Sequence, residues 1–521
     1  AQEAGAQEAG AHEAGAQEAG AQEAGAQEAG ERSADRSAQL LCLSHRTEAG
    51  LKALAGAYAD QLELESDPTL SDLCYSAGAT RTHFAHRLGV VAGSTAELAE
   101  KLRQVVAGGA PAGAARGVAD EGQRPKVAFL FTGQGAQYVG MGKELFDHEP
   151  VFRAALESCA ALVKGELERP LLEVMFGGAE SGGLLDETGY TQVGLFALEY
   201  ALSELWRSFG VRPDYVMGHS VGELVAACVA GVFSLEEGLK LVCARGKLMQ
   251  ALPRDGEMAA VFADRGKVER ALVPFGGALS IAAENGPGET VVSGERGSLR
   301  VLLEAFASEG VKSRRLVVSH AFHSVQMEPM QAEFRRIAER VQYHRPEVGL
   351  VSNVSGALVH GEEVSHAEYW VRHVREAVRF ASGMKVLREA GVGAYVEVGP
   401  KPVLLGMGSR CFEDRSLENG DGTAVWVPSL RQGQVDSVQV QRALGMLYVQ
   451  GVGVNWMGFD RPFPHRRLVL PTYPFQRRPL PIDAFDHSAP GTHALSSMTL
   501  SSQHPLLERR LPLPLPTFET T

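Results

Sequence analysis

The stretch Tyr215-Val216-Met217-Gly218-His219-Ser220-Val221-Gly222-Glu223, YVMGHSVGE, runs from an apolar segment into a Gly-x-Ser-x-Gly turn, and a second apolar segment follows it. The pattern predicts a strand over 215–217 and a helix over 221–230, joined by a turn too sharp for a Cβ on either flank. Glycine at 218 and 222 meets that demand. Such a turn lifts Ser220 above the end of a sheet with a helix N-terminus beneath it, where backbone N–H groups and the helix dipole favour a developing oxyanion. Ser220 is therefore a candidate nucleophile, and a tight strand–helix turn with an incidental serine is the plainer alternative. Hydrolases and acyl transferases both use this elbow, so the motif alone leaves the reaction open.

Outward from the elbow, KVAFLFTGQGAQYVGMGKELF (126–146) reads as an apolar strand, a glycine-rich turn and a helix. GLFALEYALSELWRSFGV, PDYVMGHS, VGLVSN and GAYVEVGP continue an alternation of helices and strands that signals a parallel α/β sheet. Between about 257 and 318 the order changes to strand 258–262, helix 267–273, strand 279–283, strand 290–293, helix 298–308 and strand 312–317. That is the β-α-β-β-α-β order of a ferredoxin-like unit. Inserted in the larger sheet, it would leave a cleft between two subdomains.

The flanks differ in kind. Residues 1–37 are dominated by a repeated AQEAG unit, whose period of five fits neither helix nor strand, and its recurring glycine costs about 1 kcal/mol of helix stability per unit. This stretch is expected to be a disordered acidic linker. Residues 38–118 read as a small α/β domain with two strand–helix pairs, the second helix capped by a serine, and AGGAPAGAARGVADEGQRP (107–125) reads as a linker. The main domain is expected over 119–410. Residues 411–480 supply one more helix and a proline-rich segment that wraps an existing surface, and 481–521 read as a linker.

With 521 residues, 45% hydrophobic and 22% charged, the chain can bury more than one core. Its net charge of −13 gives no electrostatic reason to bind nucleic acid or an anionic membrane. The six cysteines include no C-x-x-C pair, which argues against a disulfide framework or zinc ribbon and for reduced, cytoplasmic thiols. No segment reads as a secretion signal or membrane span.

A nucleophilic serine needs a base. VVSHAFHSVQM, directly after the last strand of the inserted unit, offers His320 and His323 at the seam where the cleft would lie. His219, beside the serine, should point away from it. Arg245 is more informative. In the helix SLEEGLKLVCARGKLMQ, opened by a capping box from Ser234 to Glu237, steps of about 100° per residue place Lys240, Ala244, Lys247 and Glu236 on the wet face. Leu235, Leu239, Leu241, Val242, Leu248 and Met249 form the buried arc, and Arg245 falls in its middle. A buried guanidinium keeps its proton and needs an anion. That anion is either an internal carboxylate or, because this helix follows the elbow, the free carboxylate of an acyl donor such as malonyl.

With these residues in place, the chain resembles the acyltransferase domain of modular type I polyketide synthases, within the malonyl-CoA:acyl-carrier-protein transacylase family. FTGQGAQYVGMG, GHSVGE, CARGKLMQ, NGPGETVVSGE, SHAFHS, VSNVSG and VEVGP match in order over about 126–407. The implied fold is α/β: an α/β-hydrolase-like parallel-sheet large subdomain carrying the ferredoxin-like small subdomain, preceded by the small α/β linker domain. Residues 38–118 resemble a ketosynthase-to-acyltransferase linker, LPTYPFQRR resembles the linker after the acyltransferase, and HPLLERRLPLPLPTFE resembles the start of a dehydratase.

Carried over by position, the resemblance implies Ser220 as nucleophile and His323 as base. It also implies an oxyanion hole from the N–H groups of Gln134 and Val221, and Arg245 as the clamp on a malonyl carboxylate. A backbone carbonyl near His373 would orient the base. Asn285 and His219 would line the cleft, although Asn285 reads equally well as a turn residue in ENGPGE. The HAFH sequence, ETGYTQ and Val221 resemble the malonyl-selective version of the site, where Phe322 would fill the space an α-methyl needs. The implied substrates are malonyl-CoA and the phosphopantetheine thiol of an acyl carrier protein, with neighbouring ketosynthase and dehydratase domains as partners. No bound cofactor or metal is implied. The other readings are a thioesterase or editing hydrolase on the same Ser–His pair, an acyltransferase for another extender such as methylmalonyl-CoA, and a non-catalytic docking segment. α/β-hydrolases place an acid between the Ser and a late His, whereas here a buried arginine lies between the two.

Overall fold

A computed structural model describes residues 36–64, 69–120, 122–177, 181, 183–412 and 424–476. The AQEAG repeat and the dehydratase-like stretch lie outside the described residues. The described residues up to 474 belong to one compact unit, described below, and 475 and 476 to a second.

The first described strands form a three-stranded antiparallel sheet of β1 (Gln39–His45), β2 (His86–Ala92) and β3 (Ala114–Val118), with β2 in the centre. Helices α1 (Glu48–Leu64), α2 (Leu70–Ala79) and α3 (Thr95–Val106) cover it around a separate core that includes Leu41, Leu51, Leu73, Leu88, Leu98 and Leu102. Ser94 caps α3, its Oγ accepting the Glu97 N–H at 3.1 Å. Two of these elements differ from the sequence reading. β3 lies inside the stretch 107–125 read as linker. It is an edge strand of Ala, Arg and Gly, defined by backbone pairing to β2 and not by a hydrophobic period. Helix α2 buries Ser71, Asp72 and Ser76 along with its apolar residues, which blurs its period. Asp72 Oδ1 accepts the Arg466 N–H at 2.6 Å and Ser76 Oγ the Leu468 N–H at 2.9 Å, so the proline-rich tail runs across this helix.

The large subdomain starts at β4 (Lys126–Phe131) and continues through helix α4 (Thr188–Ser208), β5 (Tyr215–Gly218), α5 (Val221–Val229) and α6 (Leu235–Gln250). The small subdomain follows: β6 (Gly256–Val261), α7 (Arg265–Leu272), β7 (Leu279–Gly286), β8 (Glu289–Glu295), α8 (Arg296–Ser308) and β9 (Ser313–Arg315). Its strands lie antiparallel in the order β7-β8-β6-β9, the ferredoxin-like arrangement expected, around Val261, Val268, Val292, Leu299 and Phe306. The chain then returns through β10 (Gly349–Val351), α9 (Ala367–Arg375), α10 (Phe380–Glu389), β11 (Val392–Val398), β12 (Val425–Pro428) and α11 (Asp436–Val449).

The five parallel strands are ordered β10-β5-β4-β11-β12. Val127 to Phe131 are fully buried in the middle of this sheet, as parallel strands covered on both faces require. Its outer strand β12 comes from beyond residue 410, in a stretch read as supplying only a helix. Four residues ending in proline carry no readable period, but they complete the sheet by pairing with β11, at an edge where proline costs no ladder bond. The carboxyl ends of β4, β5 and β10 are neighbours, and ligands of open α/β sheets bind in the crevice outside such ends. The small subdomain is fastened beside it: Glu284 N–H donates to Val378 O at 2.8 Å, and Val378 N–H to Ala282 O at 2.9 Å.

Candidate active site

Ser220 follows β5 and caps α5 with φ 54° and ψ −114°, a backbone conformation that L-residues adopt only under constraint. The glycines beside it are obligatory. A Cβ on Gly218 would lie 2.1 Å from Glu223 N, and one on Gly222 would lie 2.3 Å from Phe131 O and 2.6 Å from Thr132 O. The elbow is thus pressed against the end of β4 and the loop that carries Gln134. His219 N–H donates to Phe131 O at 3.0 Å, and a Cβ on Gly133 would lie 2.9 Å from His219 O. Helix α4 steadies the Gln134 loop: Thr132 donates to Glu199, and Gln192 Nε2 lies 3.5 Å from Gln134 Oε1. Val221 is the first residue of α5 and is buried.

Of the two candidate histidines, the structure brings His323 to the serine. Ser220 Oγ and His323 Nε2 are 2.7 Å apart, while His320 is occupied by Ser319 Oγ at 2.8 Å and Leu252 O at 3.0 Å. His323 Nδ1 donates to a backbone carbonyl at 2.7 Å, which fixes the tautomer that leaves Nε2 free to accept the serine hydroxyl. That carbonyl belongs to Glu376, just past the end of α9. Glu376 closes the segment YWVRHVRE in which the carbonyl was expected, but the residue is not His373, one turn earlier, whose Nε2 lies 3.2 Å from the buried Glu223 Oε2. Spacing within α9 could not choose between them, because the choice depends on where the chain turns after the helix. Burial, the nearby Arg245 charge and His373 hold the His323 pKa well below the ordinary histidine value, against the opposing Glu376 hydrogen bond. His323 is therefore neutral at pH 7.

Arg245 sits on the buried side of α6, 2% exposed, with Nη2 donating to Ser220 Oγ at 3.0 Å. Ala244, expected on the wet face, is buried as well. Among the described residues no carboxylate pairs with Arg245, and its Nε has no hydrogen-bond partner. Burial pushes its pKa down to about 10, which leaves it charged at neutral pH. His219 points away from Ser220, its Nε2 2.9 Å from Asn285 Oδ1, and Asn285 lies at the end of β7, so this pair bridges the subdomains. Phe322 is buried immediately before His323.

Sequence reasoning assigned no role to Asn353, which follows β10 in VSNVSG. Its Oδ1 accepts the Ser220 N–H at 2.8 Å, its Nδ2 donates to Gly218 O at 2.8 Å, and its own N–H donates to Glu223 Oε2 at 2.9 Å. Glu223, fully buried, also accepts from Tyr369. The available signal was an asparagine at the carboxyl end of a strand adjacent to the elbow strand. Among the described residues no group of His, Cys, Asp and Glu side chains could hold a metal, and no helix is long and apolar enough to cross a membrane.

Comparison with known proteins identifies the family. Residues 128–454 match the acyl transferase domain family, and residues 39–102 match the CurL-like C-terminal family of polyketide synthases. Polyketide synthase GfsA of Streptomyces halstedii is 43% identical over 440 residues, which cover 84% of this chain but 6% of GfsA. The chain thus spans a small part of such relatives. Among solved structures, the acyltransferase domain from the second module of the salinomycin polyketide synthase is 41% identical, with a TM-score of 0.67 over 80% of this chain and 94% of that one. The acyl transferase domain of SpnD, solved in complex with 2-(pent-4-yn-1-yl)malonyl, is 32% identical, with a TM-score of 0.70 over 82% and 98%. A strained serine at the end of a parallel strand, a histidine from the rim of an inserted ferredoxin-like unit and a whole-domain match to such structures lead to one conclusion: the chain belongs to the acyl transferase domain family, in the form found in modular polyketide synthases.

Proposed function

We propose that this acyltransferase loads a malonyl extender unit from malonyl-CoA onto the phosphopantetheine thiol of an acyl carrier protein. His323 takes the proton of Ser220 as Oγ attacks the thioester carbonyl. The Oγ–C bond forms, the C–S bond breaks, and the proton passes from His323 to the departing CoA thiolate. The carrier thiol then attacks the acyl-serine by the reverse proton path, releasing Ser220. Backbone N–H groups of Gln134 and Val221 hold the oxyanion in both halves.

The observation that carries this reading is Arg245: a buried guanidinium aimed at the nucleophile, with no protein carboxylate to neutralise it among the described residues. Such a charge calls for an anionic substrate, and the carboxylate of a malonyl group would supply the bidentate partner. Gly246, next to Arg245, lets α6 pack closely on α4, where a Cβ would lie 3.0 Å from Gly189 Cα. The absence of an internal ion pair among the described residues weighs against the structural reading of Arg245. The SpnD domain was solved with a malonyl carrying a long α-substituent, so selection for unsubstituted malonyl rests on local residues. Phe322, buried beside the base, is the side chain that would exclude an α-methyl. Thr188 of ETGYTQ bonds Ser319 of the HAFH segment at 2.8 Å, so the two malonyl-type segments adjoin. In the longer protein, the partners would be ketosynthase and dehydratase domains flanking this one.

Intact-protein mass after exposure to a mixture of CoA esters tests the proposal. One malonyl adduct should form, be absent in Ser220→Ala and transfer to a carrier protein faster than it hydrolyses. Hydrolysis as fast as transfer would identify an editing hydrolase, and an adduct persisting in Ser220→Ala would exclude the assigned nucleophile.

A further inference from the structure

Asn353 is buried, 1% exposed, and its amide oxygen, amide nitrogen and main-chain N–H each bond a group at or beside the Ser220 elbow. Its amide orientation is determined by its partners: Nδ2 faces the Gly218 carbonyl and Oδ1 faces the Ser220 N–H, and a flip would set oxygen against oxygen. One side chain thus brackets the residue before His219 and the nucleophile after it, across the two peptides of the elbow. The main chain of Asn353 serves the base. Its carbonyl accepts the Arg379 N–H at 2.9 Å, and Val378 is held on both sides by β7. The segment 376–379 that presents the Glu376 carbonyl to His323 is therefore anchored on Asn353 as well. Beneath it, Glu223 Oε2 holds the Asn353 N–H, and Glu223 accepts in turn from Tyr369.

A non-glycine residue keeps a sparsely populated φ only where its surroundings over-determine it. Ser220 has no side-chain cap bond, and its own N–H is spent on Asn353. We propose that Asn353 is a positioning residue that clamps the strained elbow and registers Ser220 against His323, so that it sets the rate of acyl-enzyme formation without touching substrate. This rests on Ser220 being the nucleophile. It separates Asn353 from Arg245, since the clamp acts on the attacking atom irrespective of which acyl group arrives.

The test is the rate and amplitude of Ser220 labelling by malonyl-CoA and by acetyl-CoA, measured on the full chain by rapid quench and intact mass, for wild type and Asn353→Ala. The expected result is roughly a 100-fold slower acylation with both donors, the scale on which small misplacements of a reacting group act. Labelling should still go to one acyl group per chain, with the malonyl-CoA concentration for half-maximal rate little changed. A wild-type rate at full amplitude would overturn the proposal. So would reduced amplitude with the remainder reacting at the wild-type rate, because that is the signature of a misfolded fraction. Slowing confined to malonyl-CoA would transfer the effect to the carboxylate clamp and also overturn it. If the wild-type chain itself forms no Ser220 adduct, the functional reading fails and this inference with it, a result distinguishable from each of the others.

Discussion

Ser220 and His323 are the two non-glycine residues with positive φ among the described residues, at 54° and 57°, and their side chains meet at 2.7 Å. Each such conformation costs on the order of 1–3 kcal/mol and concentrates at functional sites. Here both halves of the proposed nucleophile–base pair carry it, held by Asn353 on one side and the Glu376 carbonyl on the other.

Replacing His323 by alanine removes the proposed base but leaves the elbow in place. Acyl-enzyme formation should slow by about 10²–10⁴-fold, the usual contribution of a positioned general base. Single-turnover rates measured alongside a circular-dichroism spectrum check this, and an unchanged rate would assign the base to another residue.

Arg245→Ala should discriminate between acyl donors. Losing a desolvated charge partner costs about 2–5 kcal/mol, so malonyl transfer should fall roughly 30-fold to several thousand-fold. Acetyl transfer, which presents no carboxylate, should fall far less. Equal losses in kcat/KM for the two would return Arg245 to a structural role.

The pH profile follows from His323. In the proposed mechanism the neutral imidazole is the base, and burial with the Arg245 charge holds its pKa well below 6.5. The acylation rate should therefore stay on its plateau as pH falls to 6.5 and drop only at lower pH. Arg245→Ala removes a positive charge that opposes protonation, so the acid limb should move to higher pH. A limb that stays in place or moves down in that variant contradicts the assignment.

Phe322→Ser tests the proposed steric wall. Methylmalonyl-CoA should then compete with malonyl-CoA, with the kcat/KM ratio shifting by roughly 10- to 100-fold, the range a single methyl group can command. A mixture of the two esters read by intact mass gives the ratio directly, and an unchanged ratio would place selectivity elsewhere.

Gly222→Ala probes the elbow as architecture. Its Cβ would meet two backbone carbonyl oxygens at 2.3 and 2.6 Å, neither able to swing aside as a side chain could. Stability should fall by about 3 kcal/mol or more, at the upper end for overpacking. Denaturant unfolding with an unchanged midpoint would show that the sheet end yields more readily than its packing implies.

The local chemistry was legible because local periodicity encodes it. Glycines at 218 and 222 specify the turn, the helical period of 235–250 puts Arg245 on the dry side, and the order of elements from 256 to 315 yields the small subdomain. What no local pattern could carry was the choice among sequence-distant partners. Glu376 supplies the carbonyl in place of His373 because the chain leaves α9 at that point and is caught there by β7 and Asn353. Strands β3 and β12 owe their existence to edges already formed, and Asn353 gains its role because β10 lies beside β5. The sequence by itself determined the kinds of residue and the elements that carry them. Tertiary structure decided which of those residues meet, because hydrogen bonds made across 130 residues depend on sheet order and not on spacing.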